Sequence, residues 1–207
     1  MAERLHGRPP PKTTSRVVDE DWSRDDLTGR VADHVEYVGI DLAETTSTGG
    51  MHFDECTFRD VGFHLAEHTA AAFANCTFTG CNFFGATFSE CKFVGSMFDR
   101  CTFDRVKVDG GDWSFVGLPG ADLRSARFEG VRMREADLTG VTLVGSVLRK
   151  TDLRAAVLHN AKLDRCDLRG SDLSAVDPWN VSLRAAVITW EQAVVIAAGL
   201  GLDVQPE

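Results

Sequence analysis

Residues 51–90 read MHFDECTFRDVGFHLAEHTAAAFANCTFTGCNFFGATFSE, and this stretch decides the fold. From Phe53 the chain can be cut every five residues as far as Ile188 without an insertion or deletion. The central position of most units holds Phe or Leu, and the position two residues earlier is nearly always small. Neither position carries a charge, although 26% of the chain is charged. The pattern is an internal repeat.

A period of five fits neither the 3.6 residues of a helical turn nor the two-residue alternation of a flat strand. A chain that turns regularly does fit it, if each unit forms one side of a square coil. The large central residue and the small residue then both point inward, and twenty residues complete one turn. Successive turns would stack at about 4.8 Å, the spacing of neighbouring strands, around a filled core with no groove.

Four units resemble a known signature: ADLRS at 121–125, ADLTG at 136–140, TDLRA at 151–155 and SDLSA at 171–175. They are similar to the A(D/N)LXX repeat of the pentapeptide-repeat proteins. The resemblance implies an all-β fold, a right-handed quadrilateral β-helix, to which we add a short C-terminal α-helix. The repeat assigned to this β-helix runs through residues 51–188.

Upstream, a weaker copy of the repeat is one residue out of phase with Phe53, and its central residues are Leu27, Ala32, Tyr37, Leu42 and Ser47. The segment Thr45–Gly50 can absorb the slip. Arg30 takes a position where a small residue is expected, so residues 19–50 are predicted to form an irregular coil that caps the open end. Residues 1–18, with three consecutive prolines, are predicted to be a flexible tail.

After the repeat, Thr189 and Gln192 form a capping-box pattern that predicts a helix from Trp190 to Ala198, closed by Gly199. This helix is apolar nearly all round, which favours an end-to-end homodimer through residues 189–207 over a simple end cap. In gyrase-protecting members of the resembling family, a C-terminal apolar segment forms such a dimer. The predicted interface residues are Trp190, Val194, Val195, Ile196, Ala198, Leu200 and Leu202.

The net charge of -9, from 31 acidic and 22 basic residues, argues against direct nucleic-acid binding. No apolar stretch is long enough to cross a membrane. The chain opens with MAERLHGRPPPK, which lacks the charged and apolar regions of a signal peptide, so we expect a cytoplasmic protein.

Two motifs suggest metal chemistry. His64, Glu67 and His68 spell H-x-x-E-H, a zinc pattern that requires a helix, whereas the repeat places His64 outside and His68 inside the coil. The six cysteines all occupy small inward positions, which favours reduced core residues over a zinc or disulfide framework. We therefore predict no metal, no cofactor and no enzymatic activity.

A closed rod offers only its surface, so a macromolecular partner is expected. The chain resembles the loopless MfpA and Qnr type of pentapeptide-repeat protein, which implies DNA mimicry, binding of DNA gyrase or topoisomerase IV, and resistance to quinolones or other gyrase poisons. Residues twenty apart stack, so one predicted acidic ridge, interrupted by Arg132, would contact the partner: Asp112, Asp137, Asp152, Asp172 and Asp177.

Charge is unevenly distributed: residues 19–60 hold 12 acidic and 3 basic side chains, whereas residues 111–188 hold 10 and 11. Another side of the predicted coil carries Arg127, Arg149, Lys150 and Arg169. Because the C-terminal half is neutral overall, any DNA mimicry is partial. A structural interaction module for an unrelated partner stays the alternative hypothesis.

Overall fold

The computed structural model describes residues 10–205. Within that range the chain forms short parallel strands followed by one helix. The strands are β1 (Ser15–Val18), β2 (Val31–Asp33), β3 (Val35–Val38), β4 (Thr46–Ser47), β5 (His52–Asp54), β6 (Thr57–Arg59), β7 (Glu67–Thr69), β8 (Ala72–Ala74), β9 (Thr77–Thr79), β10 (Thr87–Ser89), β11 (Met97–Asp99), β12 (Lys107–Asp109), β13 (Arg127–Glu129) and β14 (Val147–Arg149), and the helix is α1 (Trp190–Gly199).

The strands stack into the sides of a four-sided coil. The first side contains β2, β5 and β8, the second contains β1, β3, β6, β9 and β11, and the fourth contains β4, β7, β10, β12, β13 and β14. Single parallel bridges such as Asp41 to Gly62 and Asn82 to Thr102 build the third side. Residues twenty apart pair, as Thr57 does with Thr77. The predicted all-β quadrilateral β-helix with a C-terminal helix is confirmed.

A left-handed residue at nearly every corner explains the period of five. The residue two positions after nearly every inward Phe or Leu has a positive φ, for example 58° at Leu65, 52° at Asn75 and 67° at Gly80. This conformation redirects the chain after each short strand. Many of these corners hold glycine, which adopts the left-handed region without steric cost. The sequence spacing is therefore set by the corners as much as by the core.

The core changes character along the axis. In the N-terminal half, phenylalanines stack in columns along the axis: Phe78 lies 4.8 Å from Phe58 and 4.7 Å from Phe98, with nearly parallel rings. Rings on adjacent sides meet edge to face, so every ring packs in several directions. From Leu118 onward leucine takes most of the inward positions, and Leu143 and Leu163 are fully buried.

Trp113 lies where the phenylalanine columns give way to leucine, and it is 2% exposed. It packs 4.3 Å from Phe93, and its indole Nε1 has no hydrogen-bond partner among the described residues. The small residue two positions earlier is Gly111. A β-carbon at Gly111 would lie 2.1 Å from the carbonyl oxygen of Cys91, so the backbone passes too close there for any side chain.

The first turns follow the same geometry with one extra residue. Ala32 pairs with Phe53, twenty-one residues away, while Ser15 pairs with Val35 at the normal offset. The pairing shifts between Gly49, which accepts from Gly29, and His52, which donates to Arg30. The extra residue thus falls at the end of the segment expected to absorb it. The guanidinium of Arg30 lies 3.6 Å from the Trp22 ring centroid and covers this ring near the end of the coil.

The tail predicted over residues 1–18 needs correction at its C-terminal part. Residues 15–18 form β1, which pairs along its whole length with β3. Val17 continues the five-residue spacing of Trp22 and Leu27, a signal that extends the coil beyond the expected boundary. Residues 1–9 of the predicted tail lie outside the described residues.

Helix α1 closes the chain. The Thr189 hydroxyl accepts from the backbone N–H of Gln192, and the Gln192 side chain accepts from the backbone N–H of Thr189, the predicted capping box. The helix ends at Gly199, one residue later than expected, and its C-cap is Leu200 with an ordinary right-handed φ of -82°. In the described part of the chain, no helix has the length and apolar character needed to span a membrane.

Candidate partner-binding surfaces

The predicted acidic ridge is divided between two sides of the coil. Bridges align Lys92, Asp112, Arg132 and Asp152 in one column of the first side, and Asp137 lies on the second side between Gly117 and Val157. Within the first-side column the charges alternate in sign from one turn to the next. The column is therefore a ladder of opposite charges, because each carboxylate has a cation within one coil of it.

Arginines neutralise most of this column. Arg132 contacts Asp112 at 2.9 Å, while Arg134 and Arg154 contact Asp152 at 2.6 and 2.7 Å. Hydrogen bonds from Arg154 and then Arg134 hold the pKa of Asp152 far below its usual range. Arg154 also approaches Asp172, at 3.9 Å. The expected ridge, interrupted by Arg132, is thus paired with arginine at Asp112 and Asp152, because arginines on the same and the neighbouring column reach these carboxylates.

The remaining ridge aspartates serve turns. Asp137 is only 8% exposed, and its Oδ1 accepts from the backbone N–H of Thr139. Asp177 accepts in the same way from Trp179, at 3.0 Å, and Asp172 from Ser174, at 2.9 Å. A carboxylate that bonds the backbone two residues on stabilises a tight turn. The aspartate of the repeat thus has a structural reason to recur.

The unneutralised acidic surface lies instead in the first turns. Glu36 is paired with Arg16 and Arg59, Glu44 with Arg24, and both Asp33 and Glu55 with His34. Within residues 10–205, no ion pair reaches a further group of exposed carboxylates: Asp19, Asp25, Asp26 and Asp60. The excess of 12 acidic over 3 basic residues in 19–60 equals the whole net charge of -9. The uneven distribution of charge along the sequence predicts this excess but not its role.

The C-terminal end presents an apolar surface. Trp190 is 76% exposed, and Val194, Val195, Leu200 and Leu202 are exposed as well. Ile196, another residue of the expected interface, is half-buried against the core and so belongs partly to the end of the coil. The structure adds Trp179, which is 74% exposed in the last turn and was not predicted. Trp179 occupies an outward position of its five-residue unit, where the repeat makes no prediction about the side chain.

Gln192 attaches α1 to the coil. Its side-chain amide is buried and donates to the carbonyl oxygens of Leu168 and Ser171, at 2.7 Å each. One turn earlier, the Ser171 hydroxyl donates to the carbonyl of Leu148 and accepts from the backbone N–H of Thr151. Gln192 thus donates to two carbonyl oxygens that a further turn of the coil would otherwise bond. The polar residue faces the coil, which leaves the apolar residues of the helix exposed.

The H-x-x-E-H motif does not form a metal site. Glu67 and His68 lie on β7 rather than on a helix, and His68 is 1% exposed. Its Nδ1 lies 2.9 Å from the Ser47 hydroxyl, and its Nε2 lies 3.4 Å from the Thr45 hydroxyl. Thr45 donates its own proton to the carbonyl of Leu42. Burial lowers the pKa of His68 to about 4, so the imidazole is neutral at pH 7.

The cysteines are free thiols, and all but Cys101 are buried. Burial raises the pKa of Cys91 and of Cys166 to about 11, which keeps these thiols protonated and unreactive at neutral pH. Among residues 10–205, no group of three or more histidine, cysteine, aspartate or glutamate side chains is arranged to hold a metal ion.

One open groove of about 490 Å³ lies at the corner between the fourth and first sides, where Gly110, Gly111 and Gly130 leave space. Lys92, Arg132 and Asp152 also line it. Asp112, Arg132, Arg134 and Asp152 in its lining pair with one another, as described above, and Lys150 lies 3.8 Å from Glu129. Glu90 and Lys92 also line the groove and make no ion pair within residues 10–205.

Comparisons with known proteins agree with this architecture. A family model described as a pentapeptide repeat region matches residues 51–128, and one described as pentapeptide repeats (8 copies) matches residues 118–154 and 136–174. Comparison with curated protein sequences gives no significant match.

Two solved structures illustrate the likeness. A trypsin-treated variant of QnrB1, a plasmid-mediated fluoroquinolone resistance protein, is 20% identical with a TM-score of 0.51, over 94% of this chain and 99% of that one. HetL from the cyanobacterium Nostoc sp. strain PCC 7120, involved in heterocyst differentiation regulation, is 18% identical with a TM-score of 0.36, over 82% and 87% of the two chains. At such identities the QnrB1 likeness shows the fold. The two family models together span residues 51–174, and the chain belongs to the pentapeptide-repeat family.

Proposed function

We propose that this protein binds DNA gyrase or topoisomerase IV by imitating DNA, and that it thereby confers resistance or self-immunity to quinolone-like or other gyrase poisons. One observation carries the proposal: the whole net charge of -9 resides in residues 19–60, on the outside of a closed rod. Surfaces that bind DNA are basic, so a rod with exposed, unpaired carboxylates complements them. The similar fold of the fluoroquinolone resistance protein QnrB1 also supports a role in resistance.

The proposal gives the protein a binding role rather than a catalytic one, and it acts in the cytoplasm, where bacterial topoisomerases work. Of the five predicted ridge residues, Asp172 and Asp177 are the least neutralised, since Arg154 approaches Asp172 at only 3.9 Å and Asp177 bonds Asn180 and the backbone of Trp179. These two extend the contact toward the C-terminal end. Asp112, Asp137 and Asp152 contribute less to it.

The deciding experiment is gyrase supercoiling with increasing amounts of this protein, with and without a fluoroquinolone, at two salt concentrations. Inhibition or rescue from the drug that weakens at high salt is the expected result, because exposed charges are screened. Bovine serum albumin, another acidic protein, is the control for nonspecific charge effects. An unchanged supercoiling rate with folded protein would refute topoisomerase binding.

A homodimer through α1 is part of the proposal. The exposed apolar residues at this end, from Trp179 to Leu202, form a surface that a second copy would cover. Because Ile196 packs on the core, Val194→Asp with Val195→Asp is the cleaner test, and these residues are 39% and 43% exposed. Val157→Asp with Val18→Asp is the matched control, with exposures of 39% and 43% away from α1.

Light scattering should show a monomer for the α1 variant and a dimer for the control and the wild type. A dimer that survives the α1 substitutions would remove this helix from the interface.

The neutralised C-terminal half supports a second candidate function, an interaction module for a partner other than a topoisomerase. Arg132, Arg134 and Arg154 pair with the aspartates that a DNA mimic would present. Under this hypothesis supercoiling is unaffected, while the α1 variant still becomes monomeric.

A further inference from the structure

Two apolar side chains lie exposed beside each other on the third side of the coil. Leu65 is 48% exposed and Phe84 is 39% exposed. The backbone N–H of Leu65 donates to the carbonyl of Phe84 at 2.8 Å, so the two residues are neighbours on consecutive turns. Gly85 above Leu65 leaves room for its side chain, whose Cδ2 lies 2.8 Å from the place of a β-carbon there.

The corner that Leu65 occupies is polar or glycine on most other turns. Its equivalents twenty or twenty-one residues away are Arg24, Glu44, Gly85, Arg105, Ser125, Gly145, Arg165 and Ala185. Leu65 adopts a φ of 58°, a conformation that costs a branched apolar residue free energy, and yet about half of the residue stays exposed. The guanidinium of Arg105 lies over the Phe84 ring, 5.7 Å from its centroid. The two side chains form a small apolar patch next to polar and charged residues, the arrangement that interaction sites show.

Acidic residues surround this pair toward the N-terminus. Glu44 donates its backbone N–H to the carbonyl of His64, next to Leu65, and Asp41 bridges to Gly62. The first turn of the third side and its two corners add Asp19, Glu20, Asp21, Asp25 and Asp26. Arg24 is the one cation among them, and it pairs with Glu44 at 3.3 Å. We call residues 19–26, 41–44, Leu65 and Phe84 the third-side face.

We infer that the third-side face anchors the topoisomerase on the rod, and that it takes a basic segment of that enzyme with an apolar side chain packed on Leu65 and Phe84. The inference rests on the proposed function. The acidic turns complement lysine and arginine, while the adjacent pair supplies an anchor that charge alone lacks. Nucleic acid would be repelled, and a second copy would bring the same carboxylates against these.

The role of the apolar pair is tested by measuring how tightly purified gyrase holoenzyme binds to the immobilised full-length protein. Leu65→Ser with Phe84→Ser should raise the dissociation constant at least about tenfold, the effect of losing a central apolar anchor. The control is Phe115→Ser with Val157→Ser. Phe115 is 52% exposed at a left-handed corner diagonally opposite, and Val157 is 39% exposed, so the control removes a similar apolar surface elsewhere.

The charged part is tested by a second matched pair. Glu44 and Glu135 are both exposed glutamates at left-handed corners, with φ of 55° and 53°, on opposite edges of the rod. Glu44→Lys should weaken gyrase binding and reduce its dependence on salt, and Glu135→Lys should leave both unchanged. Thermal melts by circular dichroism confirm that each variant is folded.

The outcomes separate the two proposals. If the wild type binds gyrase and only the Leu65, Phe84 and Glu44 variants weaken it, the third-side face is the contact. If the wild type binds but these variants bind as tightly as the controls, the inference fails and the proposed function stands. If the wild type does not bind gyrase at all, both fail.

Discussion

The two halves of the coil share one backbone geometry but differ in core and surface. In the N-terminal half, stacked phenylalanines fill the interior, and several carboxylates outside it have no counter-ion among residues 10–205. In the C-terminal half leucine fills the interior, and arginines such as Arg132 and Arg154 pair with the carboxylates. The repeat therefore fixes what lies inside each turn, while the outward positions vary freely and carry the differences relevant to binding.

The largest effect should come from placing a charge in the leucine half. Leu143 is 1% exposed, and Leu143→Asp buries a carboxylate where there is no room for water. We expect a loss of more than about 5 kcal/mol, comparable to the whole stability of a domain, and hence no folding. Circular dichroism melts measure this, with Leu143→Met as the volume-conserving control. A cooperative melt near that of the wild type would show that this half is not closed.

The polar interruption of the phenylalanine half should make stability depend on pH. His68 has a folded pKa of about 4, below the unfolded value of 6.5, so the unfolded chain binds a proton that the folded chain does not. Stability is then full above pH 6.5 and falls as the pH drops toward 4, by about 3 kcal/mol in total. Urea unfolding at several pH values measures the slope.

His68→Phe, which gives this position the residue that Phe88 supplies one turn later, should flatten this dependence. His34→Gln is the contrasting variant. A hydrogen bond to Asp33 raises the pKa of His34, so its contribution is present at low pH and is lost as the pH rises through its folded pKa. An unchanged slope in His68→Phe would refute the assignment.

At the junction of the halves, Gly111→Ala should destabilise the protein by about 3 kcal/mol. The added carbon would lie 2.1 Å from the Cys91 carbonyl oxygen, and φ at Gly111 is +88°. Gly145→Ala in the leucine half separates the two causes, because φ there is +74° but nothing lies within 4 Å, and only about 1 kcal/mol is expected. Equal losses in denaturant titrations would show that no close contact exists at Gly111.

The smallest effect concerns the neutralised surface. Arg134→Gln with Arg154→Gln frees Asp152 and Asp172, and we expect a loss of less than about 1 kcal/mol because these arginine side chains are 45% and 54% exposed. If pairing with these arginines reduces how well the C-terminal half imitates DNA, the same variant should bind gyrase more tightly. Arg165→Gln, whose side chain makes no ion pair within residues 10–205, is the control. Weaker gyrase binding by the double variant would contradict this expectation.

Much of the fold was predictable because burial in a narrow coil restricts two positions in every five. The inward phenylalanines and leucines, the slip near Gly50 and the capping box of Thr189 and Gln192 all follow from local spacing. The first strand was missed because Val17 alone marked it. The individual pairs between arginine and aspartate could not be predicted, because an exposed side chain can reach carboxylates on its own column or the next and spacing does not choose between them.

The coil, its five-residue period and the point at which the repeat ends can be read from the sequence, because they depend on which side chains are buried away from water. Which carboxylates stay free depends on contacts between turns in the folded protein. Asp152 lies between two guanidinium groups, whereas Asp25 has no ion-pair partner in the described chain. The tertiary structure also decided that Leu65 and Phe84 lie side by side, because residues nineteen apart meet only when the turns stack. Such contacts join residues of different turns, so the spacing of residues within one turn does not predict them.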